Sequence, residues 1–426
     1  MLSGKRTNKI TAKIQVTLYL AVCLFANSAC IRKDLYLRVD TTQISIQMFD
    51  VGLDLGMELL WGFDWKTAWH YEWDETNLAT YGTIGYTKPD LVKTTIYNID
   101  SYSGKRYSSF YMLFDSNGGR IRLTSGSTYD MLFYNFGTEW INFYQSEDYY
   151  TYNAFTRISD QVTFIRTRAE NQFSEMPDTM KTYIDYNQPD ELVGTVENDI
   201  VIDEDPSHYH KEYDSDGNVT YVYRIDATLR PYSFIYLYQI VILNNKETDE
   251  KGDTISRIIG GSGLTVTGLA QGTDLFTHKA FNNTISITTR DMKPLQHHKI
   301  KDPQDTTQTI NTDIIAARML TWGLPGINPY ENWDDEKGVN ATTFTPLEDN
   351  YIGIGFTLRN GYSWTITKRI TDLMWSKPAG GVITIYVDAS IIPQELLDKK
   401  PSGGGGGGFN ASVEDWTNEV NAEVTI

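Results

Sequence analysis

The sequence predicts an all-β protein with few short helices, and three features of its 426 residues support this. Apolar residues alternate with polar ones over long stretches, which is the period of a β-strand. Short apolar runs bounded by Gly, Asn and Asp recur at a spacing of roughly 8–12 residues, as in β-sandwiches and barrels. Helical periodicity is nearly absent, with weak candidates only at residues 313–321 and 395–399.

The longest alternation covers residues 59–73. Its odd positions include four tryptophans, Trp61, Trp65, Trp69 and Trp73. The tryptophans would also form one stripe of a helix, but a helix would place Phe63 on the opposite face, so the two-residue period is favoured. We expect a strand with a bend near residues 66–68 and one buried aromatic face.

A hairpin is predicted around Asn360 and Gly361, where apolar residues alternate before and after the turn. A two-residue loop would place the two apolar sets on opposite faces. A three-residue loop of residues 359–361, with Gly361 left-handed, places every apolar residue on one face. The residue pairs of this loop are Leu358 with Tyr362, Phe356 with Trp364, and Ile354 with Ile366.

Further strands are expected at eight shorter apolar runs. These are residues 109–114, 120–123, 131–136, 219–225, 234–243, 263–269, 284–289 and 382–387. The glycine-rich stretch 260–263 contains Ser262, but it lacks the glycine spacing and the following helix of a hydrolase nucleophile elbow. We therefore expect a turn there.

The composition excludes several classes of protein. The chain carries 37 Lys and Arg against 55 Asp and Glu, a formal charge of −18, which argues against a nucleic-acid partner. With 40% hydrophobic and 13% aromatic residues, it holds enough apolar side chains for packed cores and is not a disordered chain. Its two cysteines, Cys23 and Cys30, both precede the body, which therefore has no internal disulfide, thiolate metal site or catalytic cysteine.

Residues 1–29 have the order of a secretory signal peptide. A basic stretch precedes an apolar run at residues 16–26, and small residues follow. The run is too short to span a bilayer. The end of the segment, Ser28-Ala29-Cys30, resembles a bacterial lipobox, which predicts that Cys30 is lipidated and becomes the first mature residue. The alternative is an ordinary signal peptide followed by an incidental cysteine.

Two domains and a tail are predicted in the rest of the chain. The polar stretch 187–205 is the best candidate for a linker, which gives an N-terminal domain of residues 30–195 and a C-terminal domain of residues 196–426. Residues 401–408, Pro-Ser followed by six glycines, form a flexible tether. The chain then ends in an alternating segment with one apolar face, as a strand would. The residues of this strand-exchange candidate are Glu419, Val420, Asn421, Ala422, Glu423, Val424, Thr425 and Ile426.

The sequence offers no catalytic residue, metal site or cofactor site, and we expect no enzyme activity. No Walker loop, dinucleotide fingerprint or zinc signature is present. His208 and His210 could bind a metal with a nearby aspartate, but two histidines in an acidic loop are more often solvated. Ten Trp and 28 Tyr could provide platforms for sugar rings, although core packing is favoured for most of them.

Several motifs, taken in order along the chain, carry a resemblance to a known family. They are Cys30-Ile31-Arg32-Lys33-Asp34-Leu35, Gly118-Gly119-Arg120-Ile121-Arg122-Leu123, Gly126-Ser127-Thr128-Tyr129-Asp130, Thr321-Trp322-Gly323-Leu324-Pro325-Gly326 and Ile370-Thr371-Asp372. The glycine-rich tether, Trp416 and the terminal strand close the pattern. In this order the motifs resemble Bacteroidales outer-membrane lipoproteins related to fimbrillins, the subunits of type V pili.

The resemblance implies two tandem transthyretin-like β-sandwich domains and a structural or adhesive role at the cell surface. The partners it implies are other fimbrial subunits or surface proteins, and the membrane through the lipid on Cys30. It also implies assembly by donated strands, in which residues 419–426 complete a neighbour's sheet. A tether of six glycines equally permits this strand to fold back into its own C-terminal domain, so both alternatives stay open.

Two further alternatives remain from the sequence. Lipoproteins exported to the outside of these cells often carry acidic residues just after the cysteine, whereas residues 31–34 are mostly basic, so a periplasmic orientation stays open. The second functional hypothesis is a surface glycan-binding lipoprotein that uses exposed aromatic side chains.

Overall fold

The computed structural model describes residues 48–57, 68–72, 84–157, 185–203, 205–213, 215–249, 251–303, 307–331, 333–334, 339–340 and 345–399, all within one compact unit of the chain. The strands are β1 (Met48–Met57), β2 (Leu91–Ile99), β3 (Arg106–Asp115), β4 (Gly118–Thr124), β5 (Thr128–Asn135), β6 (Ile141–Gln145), β7 (Tyr152–Thr156), β8 (Asp185–Tyr186), β9 (Val193–Val201), β10 (His210–Tyr213), β11 (Val219–Pro231), β12 (Phe234–Leu243), β13 (Lys246–Thr248), β14 (Thr254–Ser256), β15 (Ile258–Ala270), β16 (Gly272–Asp274), β17 (Thr284–Thr289), β18 (Gln296–Lys301), β19 (Thr309–Thr321), β20 (Trp333–Asp334), β21 (Val339–Asn340), β22 (Tyr351–Leu358), β23 (Ser363–Arg369) and β24 (Gly381–Asp388). The helices are α1 (Thr371–Trp375) and α2 (Gln394–Leu397), with short 3-10 helices at Pro206–His208 and Ala389–Ile391. The predicted all-β fold with few short helices is confirmed, whereas the transthyretin-like character of two domains stays a prediction.

Eight strands form one sheet that curls back on itself. Their order is β1-β4-β3-β2-β5-β9-β11-β10, and β1 also pairs with β11 in parallel, from Asp50 opposite Val222 to Met57 opposite Leu229. Strand β11 is 13 residues long, so its end can pair with β9 while its beginning pairs with β10. The curled sheet encloses an apolar core. Its residues include Val51, Leu53, Val92, Ile96, Phe114, Ile121, Leu123, Met131, Phe133, Ile225 and Leu229.

Two further sheets face one another across a second core. One has four strands in the order β18-β19-β12-β24, and the other has five in the order β23-β22-β15-β17-β8. Strand β12 is apolar on both faces: Tyr236 and Tyr238 lie in the core between the sheets, and Ile235 and Leu237 lie in a cluster on the outer face. Burial of both faces explains why this run of residues does not alternate.

Residues 68–72 cover that outer face. Trp69 and Tyr71 are buried there. The side chains of Gln239 and Gln296 each accept a hydrogen bond from a backbone N–H of this segment and donate one to a backbone carbonyl, over 2.7–3.0 Å. The aromatic stripe predicted here is therefore buried at Trp69 and Tyr71. The prediction of a strand is wrong for these five residues, because their backbone hydrogen bonds go to side-chain amides and not to a neighbouring strand. The rest of the aromatic stripe lies outside the described residues.

In a three-stranded sheet, β6-β7-β16, the hairpin of β6 and β7 pairs with β16, which lies between β15 and β17 in the chain. The pairing of β7 with β16 runs from Phe155 opposite Gly272 to Asn153 opposite Asp274.

The stretch predicted as a linker, residues 187–205, contains β9, and β9 to β11 all belong to the eight-stranded sheet. The chain enters the four-stranded sheet at β12. The division of the chain at residue 195 into two domains stays a prediction.

The predicted hairpin is confirmed in its register. Ile354 lies opposite Ile366 and Phe356 opposite Trp364, and the backbone N–H of Leu358 donates to the carbonyl oxygen of Tyr362 over 2.8 Å. Gly361 has a φ of +85°, the left-handed conformation that the three-residue loop requires.

Two other local predictions were wrong. The helix candidate at residues 313–321 is part of β19, a strand buried on both faces. The turn expected at residues 260–263 is part of β15, where two register shifts bend the strand against β22 instead of reversing it.

Candidate functional site: the open edge of strand β3

Strand β3 is an edge strand over most of its length. It pairs with β2 along its whole extent, from Leu91 opposite Asp115 to Ile99 opposite Arg106. On its other side it meets β4 at a single pair, Asp115 opposite Gly118. Beyond that pair, β4 continues alongside β1. Within the described residues, the edge at residues 106–114 therefore has no strand partner.

The turn between β3 and β4 shows why the hairpin opens. The Asp115 carboxylate accepts a hydrogen bond from the backbone N–H of Asn117 over 2.7 Å, and Gly118 has a φ of +106°. A Cβ on Gly119 would lie 2.4 Å from the ring of Phe114, so only glycine permits this close approach. The Phe114 ring thus fills the place beside β4, and the two strands separate after one residue pair.

One face of β3 continues the apolar core, and that core is open at the edge. Phe110, Met112 and Phe114 lie opposite Ile96, Thr94 and Val92, which are all fully buried. Phe114 is only 6% exposed, but Phe110 is 40% exposed and Met112 is 39% exposed. Large apolar side chains on the core side of a sheet are normally covered. The described residues leave these two uncovered where the next strand of a sheet would lie.

The opposite face of β3 carries two exposed tyrosines, Tyr107 and Tyr111. The Lys93 amine lies 4.7 Å from the centre of the Tyr111 ring and 5.5 Å from that of Tyr134, within range of cation–π attraction. Burial lowers the pKa of Lys93 from its ordinary value. This face is aromatic but solvated, and it differs in that respect from the core-side face.

The beginning of β3 is held firmly by Arg106. Its Nε donates to Asp130 over 2.8 Å, and its Nη1 donates to the backbone carbonyl of Tyr149 over 2.9 Å. The guanidinium also lies 3.9 Å from the centre of the Phe276 ring. The second carboxylate oxygen of Asp130 accepts the backbone N–H of Asp199 over 2.9 Å. A rigid strand with free backbone groups along one edge is a template for another strand.

Neither His208 nor His210, the described residues that the sequence offered as metal ligands, lies in this site. Cys30 and the strand-exchange candidate at residues 419–426 lie outside the described residues, and both stay predictions. His208 contacts Asp203 over 2.5 Å at an exposed position, and no group of three or more metal-ligating side chains occurs in the described part of the chain. No helix in the described ranges is long and apolar enough to cross a membrane.

Sequence reasoning missed the open edge, although one signal was present. Residues 110–113, Phe-Tyr-Met-Leu, are apolar at four consecutive positions, as are residues 131–134 of β5 in the same sheet. Such a run indicates a strand that is covered on both faces. The run of β5 is buried on both faces, whereas all four residues of the β3 run are exposed among the described residues.

Several solved structures are similar to this chain at low sequence identity. No protein-family model matches the chain, and no curated protein matches it. A solved structure of a candidate adhesin from Bacteroides ovatus is similar at 13% identity, covering 82% of this chain and 95% of that chain with a TM-score of 0.40. A candidate adhesin from Bacteroides thetaiotaomicron is 7% identical, covering 82% and 94% with a TM-score of 0.38. The fimbrial anchor protein Mfa2 from Porphyromonas gingivalis is 7% identical, covering 80% and 91% with a TM-score of 0.35. These are the kinds of protein that the sequence resemblance named.

Proposed function

We propose that this protein is a lipid-anchored structural subunit at the cell surface, held in the outer membrane through Cys30, which joins other surface or fimbrial subunits by strand complementation. The open edge of β3 receives the incoming strand, and residues 419–426 of another copy or a related subunit supply it. The role is structural and needs neither a cofactor nor a catalytic group.

The observation that carries the proposal is the pair Phe110 and Met112. They face the core side of the sheet, lie at an edge without a strand partner among the described residues, and are exposed. In β-strand addition, backbone hydrogen bonds supply affinity and alternate side chains fill pockets on one face. A strand added beside β3 would obtain both, because its backbone would face a free edge and its apolar side chains would meet the opening of the core.

The donor is argued from the sequence of the tail. Val420, Ala422, Val424 and Ile426 alternate, so one face of the segment is apolar and matches the face of Phe110 and Met112. A flexible connection as long as residues 401–418 spans roughly 20–25 Å, which is enough to reach a neighbouring molecule. The polar alternate residues would then face solvent beside Tyr107 and Tyr111.

Deletion of residues 419–426 tests the proposal. We expect the mature chain to form concentration-dependent assemblies in light scattering, and the deleted chain to remain folded and monomeric. A synthetic peptide of residues 419–426 should bind the deleted chain. The control peptide carries Val424→Pro, which removes a backbone N–H from the donor. Unchanged association after deletion, or equal binding of the two peptides, would overturn the proposal.

A further inference from the structure

A cleft of about 550 Å³ lies away from β3, beside strand β8. It is lined by the end of β8 and the loop after it, the end of β17 and the turn after it, Trp140 and Leu320. The volume is in the range of pockets that hold small molecules. Trp140 lines the cleft and is 39% exposed.

The loop after β8 is held by contacts from three directions. The backbone N–H of Leu320 donates to the side-chain oxygen of Gln188 over 3.1 Å, and the Ser233 hydroxyl donates to the carbonyl of Asp190 over 3.0 Å. The backbone N–H of Trp140 donates to the Asp190 carboxylate over 2.8 Å, which fixes the tryptophan next to the loop. A site built on fixed backbone is preorganised for a ligand.

Several polar groups in this cleft are left for a ligand. The Asn187 side chain makes no hydrogen bond within the described residues, so its amide offers both a donor and an acceptor. The Asp190 carboxylate has one oxygen beyond the bond to Trp140. The other two carboxylates of the cleft are occupied: Glu191 receives Arg318, and Asp291 receives the buried Lys293 amine, each over 2.5 Å.

The side chains of Trp140, Asn187 and Asp190 indicate what kind of ligand the cleft would bind. An exposed indole packs on apolar C–H groups of a ligand. Paired donors and acceptors on Asn187 and Asp190 match neighbouring hydroxyl groups, each of which donates and accepts. The cleft is lined by three carboxylates, of Asp190, Glu191 and Asp291, and by one guanidinium, that of Arg290, so a neutral ligand is favoured over an anionic one.

We propose that this cleft binds an uncharged sugar residue, with its C–H face on Trp140 and neighbouring hydroxyls on Asn187 and Asp190. The site is separate from the β3 edge and gives the protein a ligand beyond its own subunits. Binding would place a glycan at the surface of a subunit that strand exchange holds in an assembly.

The test is ligand-observed NMR and calorimetry of the full-length chain with maltose, cellobiose, lactose and mannobiose, each up to roughly 10 mM, since single sugar sites bind weakly. Glucuronic acid serves as the acidic probe. We expect at least one neutral disaccharide to bind, with affinity about tenfold lower in Trp140→Ala and reduced in Asn187→Ala. Tyr144→Ala, an exposed aromatic on the same hairpin outside the cleft, should bind as the unchanged protein does.

Three results would overturn the inference: no binding of any neutral probe, binding that Trp140→Ala leaves unchanged, or binding of glucuronic acid alone. Thermal melting of each variant shows that it is folded. The chain without residues 419–426 should keep its sugar binding, and Trp140→Ala should keep its self-association. A wrong sugar site can therefore be distinguished from a wrong proposal of strand exchange.

Discussion

Shortening Phe110 and Met112 should weaken strand donation by a predictable amount. Fully burying a side chain of this kind contributes about 1.5–3 kcal/mol. Both side chains are about two fifths exposed, so covering them with a donated strand contributes about 1 kcal/mol each. Phe110→Ala combined with Met112→Ala should therefore weaken binding by about 2 kcal/mol, or roughly 30-fold in dissociation constant.

The assay is calorimetric titration of the peptide of residues 419–426 into the chain that lacks them. The matched control is the combination of Tyr107→Ala and Tyr111→Ala on the opposite face of the same strand, which is expected to change the affinity less than threefold, since those rings stay solvated. Equal losses for the two pairs would show that the peptide does not recognise the core-side face, and the reasoning from exposure would be wrong.

Three further predictions concern stability, measured by urea unfolding. Burial, with a contribution from a nearby arginine, lowers the pKa of His278 from 6.5 to about 4, so the folded protein keeps it neutral while the unfolded chain binds a proton below about 6.5. The free energy of unfolding therefore keeps this contribution above pH 6.5 and loses up to about 3 kcal/mol as the pH falls to about 4. In His278→Asn the free energy of unfolding should change less over this pH range. The same pH dependence in the variant and the unchanged protein would show that His278 does not cause it. Gly268→Ala should cost about 3 kcal/mol, because its Cβ would lie 2.8 Å from a backbone oxygen at a φ of +72°. Gly104→Ala, at a φ of +68° with no described atom within 4 Å, should cost only about 1 kcal/mol, and equal costs would refute the role of the contact. Asp130→Ala leaves the buried Arg106 guanidinium without its carboxylate and should cost about 3–5 kcal/mol, whereas a cost below about 1 kcal/mol would mean that water replaces the pair.

Local pattern predicted much of the fold. The hairpin register followed from the requirement that apolar residues share one face, and only a three-residue loop met it. The same argument failed at residues 68–72, because alternation shows which side chains are buried and says nothing about what pairs with the backbone. There the partners are the side chains of Gln239 and Gln296, which lie more than 150 residues away in the sequence. It also failed at residues 313–321, since a strand buried on both faces has no period of two.

The open edge could not be predicted for a related reason. Two short strands joined by the turn of residues 116–119 are typical of an ordinary hairpin, and neither the turn nor the apolar run at residues 110–113 shows that β4 leaves to join β1. That departure depends on a long-range pairing and on the ring of Phe114 beside Gly119. The cleft at Trp140 could not be predicted for the same reason, because its lining comes from four segments that are distant in sequence.

The most direct test of strand donation is a disulfide cross-link between two differently marked chains. The sequence has only Cys23 and Cys30, so a chain of residues 30–426 with Cys30→Ser has no competing thiol. One chain carries Ser109→Cys on β3, and the other carries a single cysteine placed in turn at each position of residues 419–426. Strand donation predicts that mixing the two chains under mild oxidation gives a cross-linked pair at alternating tail positions. The same two cysteines placed together in one chain test self-pairing. A cross-link that forms within that chain but not between the mixed chains, or no cross-link at any position, would contradict strand donation.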